Sequence, residues 1–282
     1  MRLTLGFSPC PNDTFIFDAL VNGGVDPGEL RFEPVLEDVQ TLNEWARAGR
    51  LDVTKVSSGA LPGILGEYLL LEAGGALGHG VGPLLVARPG PPPDPATATV
   101  AIPGEQTTAH LLFSLAYPGA AAKRFLRFDR IEAAVLSGEV DAGVVIHEGR
   151  FTYAARGLAR LLDLGEHWFE RTGAPLPLGG IVARRSLGAP LQAEIDRLVR
   201  ASAARALAAR PLVSDYVRRH AQELDEAVLR AHIDLYVNDH SVALGEDGRR
   251  AVETLLEVHR RLHPETPPLP AQIFRAGAAS AG

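Results

Sequence analysis

Gly143-Val144-Val145-Ile146-His147-Glu148 is the stretch from which the rest of the chain is best read. Small and β-branched residues follow one another there without alternation, the pattern of a strand covered on both faces, as in a sheet flanked by helices. The run stops at a histidine and a glutamate. Open sheets of covered strands bind ligands just beyond the strand carboxyl ends, and an imidazole in that position can take or give a proton near neutral pH. His147 is therefore the candidate catalytic base, set against the commoner role of a strand-end histidine as a structural hydrogen-bonding residue.

Working outward, the same order of features occurs twice. Gly138-Glu139-Val140-Asp141-Ala142, which leads into this strand, is answered by Gly49-Arg50-Leu51-Asp52-Val53 ahead of the apolar run 51–56. The polar loop ending at Thr14 is answered by the one ending at Thr107, and in that register Ser58 corresponds to His147. Two copies without a third imply two α/β lobes of related design and not an array.

In the first copy, residues 2–8 form a strand pattern. Asn12, Asp13 and Thr14 are expected to cap a helix carrying Phe15, Ile16, Phe17 and Leu20. Residues 31–36 form a strand that Pro34 restricts to an edge. The run 51–56 delivers Lys55, Ser57 and Ser58 to a strand end, with a helix expected over 59–68 and a strand over 82–87. Residues 88–98, with Pro89, Pro91, Pro92, Pro93 and Pro95, read as a stiff linker.

In the second copy, residues 99–102 and 125–128 read as strands on either side of a helix capped by Thr107 and Thr108. A last strand over 178–183 precedes three helical stripes, one of them Leu191, Ile195, Leu198 and Val199. These signals predict a large lobe from 1–92 and 182–282, carrying the carboxyl-terminal helices, and a small lobe from 93–181. Lobes joined by two crossings leave a cleft, the usual place for a small ligand.

Bulk properties narrow the partners. At 22% charged residues and a formal net charge of −6, the chain gives no reason to expect nucleic acid or an anionic membrane. Cys10 is the single cysteine and forms no internal disulfide. No run approaches the ~20 apolar residues that span a bilayer. The amino terminus passes straight into a Ser-Pro-Cys-Pro loop, so a cytoplasmic location is expected.

The loops facing the cleft carry Asn12, Asp13, Thr14, Thr54, Lys55, Ser57, Ser58, Thr107, Thr108, His147, Glu148 and Arg150. Hydroxyls and amides at helix starts suit a small carboxylate. No cluster has zinc spacing, and neither a phosphate-loop nor a dinucleotide fingerprint occurs, so no metal and no cofactor are expected. The remaining histidines, His232 among them, read as mostly surface residues. The long carboxyl-terminal helices leave room for a homodimer.

Gly6-Phe7-Ser8-Pro9-Cys10-Pro11-Asn12-Asp13-Thr14-Phe15-Ile16-Phe17 resembles the amino-terminal signature of the 1,4-dihydroxy-6-naphthoate synthases of the futalosine route to menaquinone. The resemblance continues through Leu36-Glu37-Asp38-Val39, Thr54-Lys55, Gly74-Gly75-Ala76-Leu77-Gly78, Thr107-Thr108-Ala109, Ile146-His147-Glu148 and His220-Ala221-Gln222-Glu223-Leu224. It implies a two-lobed α/β fold of the periplasmic-binding-protein-like type II kind, with mixed sheets flanked by helices. It implies cyclic dehypoxanthinyl futalosine as substrate, dihydroxynaphthoate and dihydroxyacetone as products, and His147 as proton acceptor. Substrate contacts would fall on Thr54, Lys55 and Val56 and on Thr107 and Thr108. The family pattern carries a serine where this chain has Gly149. The competing readings are a chorismate dehydratase of the same route and a non-catalytic binding protein for small carboxylates.

Overall fold

The structure is a computed structural model in which residues 1–221 and 225–275 are described. Part of the motif 220–224 therefore lies outside the described residues. Eleven strands occur among them: β1 (Arg2–Phe7), β2 (Arg31–Leu36), β3 (Val53–Ser57), β4 (Tyr68–Leu70), β5 (Ala76–Gly78), β6 (Leu84–Ala87), β7 (Val100–Ile102), β8 (Lys123–Phe125), β9 (Ala142–Val145), β10 (Ala159–Asp163) and β11 (Leu176–Arg184). They form two mixed sheets. The first has the order β2-β1-β3-β11-β4 with β5 also on β11; the second has the order β10-β6-β9-β7-β8.

Strand chemistry explains these positions. The residues of β3 and β9 are buried throughout, and both strands lie inside their sheets with neighbours on either side. Pro34 cannot donate to a ladder, and β2 is accordingly an edge strand, pairing in parallel with β1. In the second sheet β9 runs parallel to β7 and antiparallel to β6.

The chain lays down β1 to β5 in one sheet, crosses to build β6 to β10, and returns through the helix Leu164–Thr172 to place β11 against β3. The first crossing therefore falls at residues 79–83 and not in the proline-rich stretch expected to join the lobes. That stretch lies between β6 and β7, two strands of the same sheet. Prolines mark where regular structure stops, but hydrogen-bond partners decide sheet membership, and those of β6 are β9 and β10. The helix expected over 59–68 is reduced to a 3-10 turn, Ser58–Ala60, and one helical turn, Leu61–Ile64, before β4 begins.

The core follows the sheets. Phe7 and Phe17 stack at 4.6 Å between ring centroids, and Ile16, Leu20, Ile195, Leu198 and Val199 complete the cluster on the first sheet. Each fully buried side chain of this size contributes roughly 1.5–3 kcal/mol. Ser202 pins two helices together there, donating to the Ile16 carbonyl at 2.6 Å and accepting from the Leu20 N–H at 3.0 Å. The second sheet packs around Phe113, Leu164 and Trp168. The helix Gly245–Leu262 serves both units: Ala251, Val252 and Leu256 join the first, Leu255 and Val258 the second. The carboxyl-terminal helices are thus not confined to the large lobe.

Candidate active site

A cavity of about 90 Å³ opens between the two sheets. One wall comes from the first sheet and its helix, through Asn12, Asp13, Lys55, Val56 and Ser57; the other comes from the second, through Thr107, Thr108, Ala109, Ile146 and His147. Tyr236, at the end of the helix Glu226–Tyr236, closes it. Of the residues singled out from sequence, Thr14, Thr54, Ser58, Glu148 and Arg150 do not line the cavity. Thr14 returns its hydroxyl to the carbonyls of Cys10 and Pro11, at 3.1 and 3.3 Å, and Thr54 donates to the Lys55 carbonyl at 3.0 Å. Both are fully buried.

The first wall is organised by a buried ion pair. Lys55 Nζ lies 2.6 Å from Asp13 Oδ1, with both side chains almost wholly out of solvent. Asp13 also accepts from the Ser8 N–H at 3.1 Å, the Ser8 hydroxyl at 2.7 Å and Asn12 Nδ2 at 2.8 Å. Four donors on one carboxylate compensate for its loss of hydration. Asn12 and Asp13 are available for this because they do not cap the helix as expected. The helix starts at Pro11, whose missing N–H needs no acceptor, and Cys10 precedes it without a side-chain cap.

On the second wall, Thr107 is the expected cap, accepting from the His110 N–H at 3.2 Å. Its own proton goes to the Gly104 carbonyl at 2.8 Å. Thr108 donates to the Leu178 carbonyl at 2.7 Å and accepts from the Gly59 N–H at 3.1 Å, which fastens one wall to the other. Gly59 permits that approach, since a Cβ there would lie 2.7 Å from the Thr107 carbonyl oxygen. Both threonine hydroxyl protons are therefore committed within the protein. What the helix start offers a ligand is the N–H groups of Thr108 and Ala109, which precede Leu111, the first residue to donate its N–H to a carbonyl within the helix. Ser57 adds a donor: its N–H and Oγ are held by Asn43, at 2.9 and 3.1 Å, and its hydroxyl proton has no acceptor among the described residues.

His147 follows β9 closely and has a φ of 54°, in the left-handed region. Such a conformation is strained for a residue with a Cβ and tends to persist where the surroundings impose it. Phe128 meets the imidazole edge-on at 5.0 Å, and His232 stacks on it at 6.2 Å with planes 16° apart. Burial pushes the His147 pKa below the ordinary histidine value; Glu148 and Asp13 oppose the shift and Lys55 adds to it. The ring is consequently neutral, with a lone pair available, at neutral pH.

His232 is fully buried. Its Nε2 lies 2.9 Å from Asn12 Oδ1. Because Asn12 Nδ2 must donate to Asp13, Oδ1 faces His232 and Nε2 carries the proton. Nδ1 then remains bare, and it has no partner among the described residues. Desolvation, followed by His147 and Lys55, drives the His232 pKa well down. Lys55, Asp13, Asn12 and His232 thus form one connected chain beneath the cavity, ending against His147.

Glu148 is also buried, with Oε1 unpartnered among the described residues, and leads the groups that draw the His147 pKa upward. Arg150 turns away to the carbonyls of Gly80 and Gly82 and to Asp163. Reading the sequence missed His232, Tyr236 and the organising role of Asn43. A signal for the first two was present: Leu229, His232, Ile233 and Tyr236 have the spacing of one helical face, and all four are buried. Among the described residues no group of three or more His, Cys, Asp or Glu is placed to hold a metal ion, and no helix is long and apolar enough to cross a membrane.

Two mixed sheets joined by two crossings, with a cavity between them at their strand ends, define the periplasmic-binding-protein-like fold class. The alkanesulfonate-binding protein of Xanthomonas axonopodis superposes with a TM-score of 0.69 at 12% identity, covering 97% of this chain and 96% of its own. A structure from Archaeoglobus fulgidus gives 0.87 at 36% identity, over 92% and 97%. The sequence model of the menaquinone biosynthesis family matches residues 3–261, and the chain belongs to that family. It is 53% identical to the 1,4-dihydroxy-6-naphthoate synthase of Thermus thermophilus, over 90% of this chain and 92% of the relative. It is 48% identical to that of Streptomyces coelicolor, over 90% and 91%.

Proposed function

We propose that this enzyme of menaquinone biosynthesis acts as a carbon–carbon lyase, converting cyclic dehypoxanthinyl futalosine to 1,4-dihydroxy-6-naphthoate with release of dihydroxyacetone. The observation that carries the reading is the neutral His147 imidazole opening into a cavity whose other donors suit a carboxylate. The substrate carboxylate sits against the N–H groups of Thr108 and Ala109 and the Ser57 hydroxyl, where the helix start favours negative charge. Lys55 and Val56 line the same cavity, Lys55 being held in place by Asp13. His147 removes a proton from carbon, cleavage releases the three-carbon fragment, and aromatisation of the new ring helps to drive the reaction. Buried Glu148 stabilises the imidazolium as it forms. Closure of the two units excludes water from the intermediate.

The test is incubation of the purified protein with cyclic dehypoxanthinyl futalosine and, separately, with chorismate, followed by absorbance and mass spectrometry. Dihydroxynaphthoate from the first alone is expected. Loss of water from chorismate would favour the dehydratase, and binding without conversion of either would favour a solute-binding protein.

A further inference from the structure

The hydroxyl groups in the cavity wall differ in what they have left to give. Ser8 donates to Asp13 at 2.7 Å, Thr107 to the Gly104 carbonyl and Thr108 to the Leu178 carbonyl. Ser57 has no acceptor for its proton among the described residues but lies at the carboxylate end, fixed there by Asn43. Tyr236 is the other exception. It lines the cavity, is only 8% exposed, and its phenol makes no hydrogen bond among the described residues. Its oxygen is not one of the buried unpartnered atoms but keeps access to the cavity, so a ligand that displaces water from it must supply a new partner.

Its placement suits chemistry as well as binding. The Tyr236 and His232 ring centroids are 4.7 Å apart, and His147 stacks on the same His232. Tyr236 and His147 therefore both neighbour one buried ring, and both line the cavity.

We propose that Tyr236 is the proton donor of this site: its O–H binds the substrate oxygen on which negative charge gathers when His147 takes a proton from carbon. This rests on the reaction assigned above. His147 gains one proton; the electron pair of the broken C–H bond moves toward the oxygen of the adjoining carbonyl; Tyr236 hydrogen-bonds to that enolate oxygen and gives up its proton to it, leaving an enol and a phenolate. The enzyme is restored when the imidazolium returns a proton to the phenolate through water entering the reopened cavity. Burial, with Glu148, Asp163 and Cys10, raises the phenol pKa against the opposing pull of Arg150, so the group is held protonated for this role. A base shifted down and an acid shifted up in one cavity is the arrangement that separates the two tasks.

Tyr236→Phe removes the O–H and keeps the ring. Because that O–H has no partner among the described residues, the melting temperature should stay within about 2 °C of the parent, and the dissociation constant for the substrate should change no more than about threefold. Loss of one donor to a developing oxyanion should lower kcat by roughly 10²–10³. A kcat within threefold of the parent overturns the proposal, as does a loss confined to KM, which would make Tyr236 a binding group only. Failure of the parent protein to convert the substrate would instead overturn the assigned reaction, so the two failures are distinguishable.

Discussion

Replacing Asp13 by Asn tests whether the cavity wall is organised as described. Asp13 accepts four hydrogen bonds, from the Ser8 N–H, the Ser8 hydroxyl, Asn12 Nδ2 and Lys55 Nζ. An amide has one accepting oxygen, so its NH₂ must face two of those donors. The Lys55 ammonium is then left buried without a counter-charge, since both side chains of the pair are almost wholly out of solvent. Breaking a buried pair in this way costs about 3–5 kcal/mol. For a chain of this size that corresponds to a fall in melting temperature of roughly 6–20 °C. Lys55→Met should cost less, about 1–3 kcal/mol, because Asp13 keeps three of its four donors. The double variant should be more stable than Asp13→Asn alone, since it removes the stranded charge. Urea unfolding of the four proteins gives the coupling energy. An Asp13→Asn variant within 1 kcal/mol of the parent, or costs that simply add, would refute the reasoning.

Two further predictions concern residues near His147. A histidine kept neutral in the fold binds fewer protons than in the unfolded chain, so its contribution to stability is lost as pH falls below about 6.5, the unfolded value, toward its lowered folded value. His232→Gln, whose amide can still donate to Asn12, should flatten the acid limb of the stability–pH profile by up to ~1.4 kcal/mol per pH unit; an unchanged slope would mean that His232 is not held neutral. A Cβ at Gly149 would lie 3.4 Å from Glu132 Oε1, an acceptor without a partner among the described residues. That Cβ would also lie 3.3 Å from Val145 Cβ, a crowding shared by serine and alanine, so Gly149→Ser should be about 1 kcal/mol more stable than Gly149→Ala through the added donor, and equal melting temperatures for the two variants would count against this.

Some of this was legible in the sequence because the signals are local. The unbroken run at 142–146 marks a covered strand, Pro34 marks an edge, and Thr107 marks a helix start; each depends on a few neighbouring residues. What could not be read depends on partners far along the chain. Lys55 meets Asp13 across 42 positions, and His232 meets Asn12 across 220. The three-residue strands β4 and β5 lie in apolar runs too short for periodicity to separate strand from helix. Thr14, Thr107 and Thr108 looked alike as hydroxyls near helix starts. Only the hydrogen-bond acceptors reveal that Thr14 bonds back along its own helix while Thr108 fastens the two walls together.

The central claim is that His147 is the base and is not needed to hold the substrate. Substrate affinity by calorimetry and single-turnover rate should therefore be measured side by side for the parent and His147→Ala, across the pH range. The account predicts affinity within a few-fold of the parent, a rate reduced by roughly 10²–10⁴, and a parent acid limb with its midpoint below the ordinary histidine value. Near-normal turnover in the variant, or loss of binding with the rate on bound substrate unchanged, would contradict it.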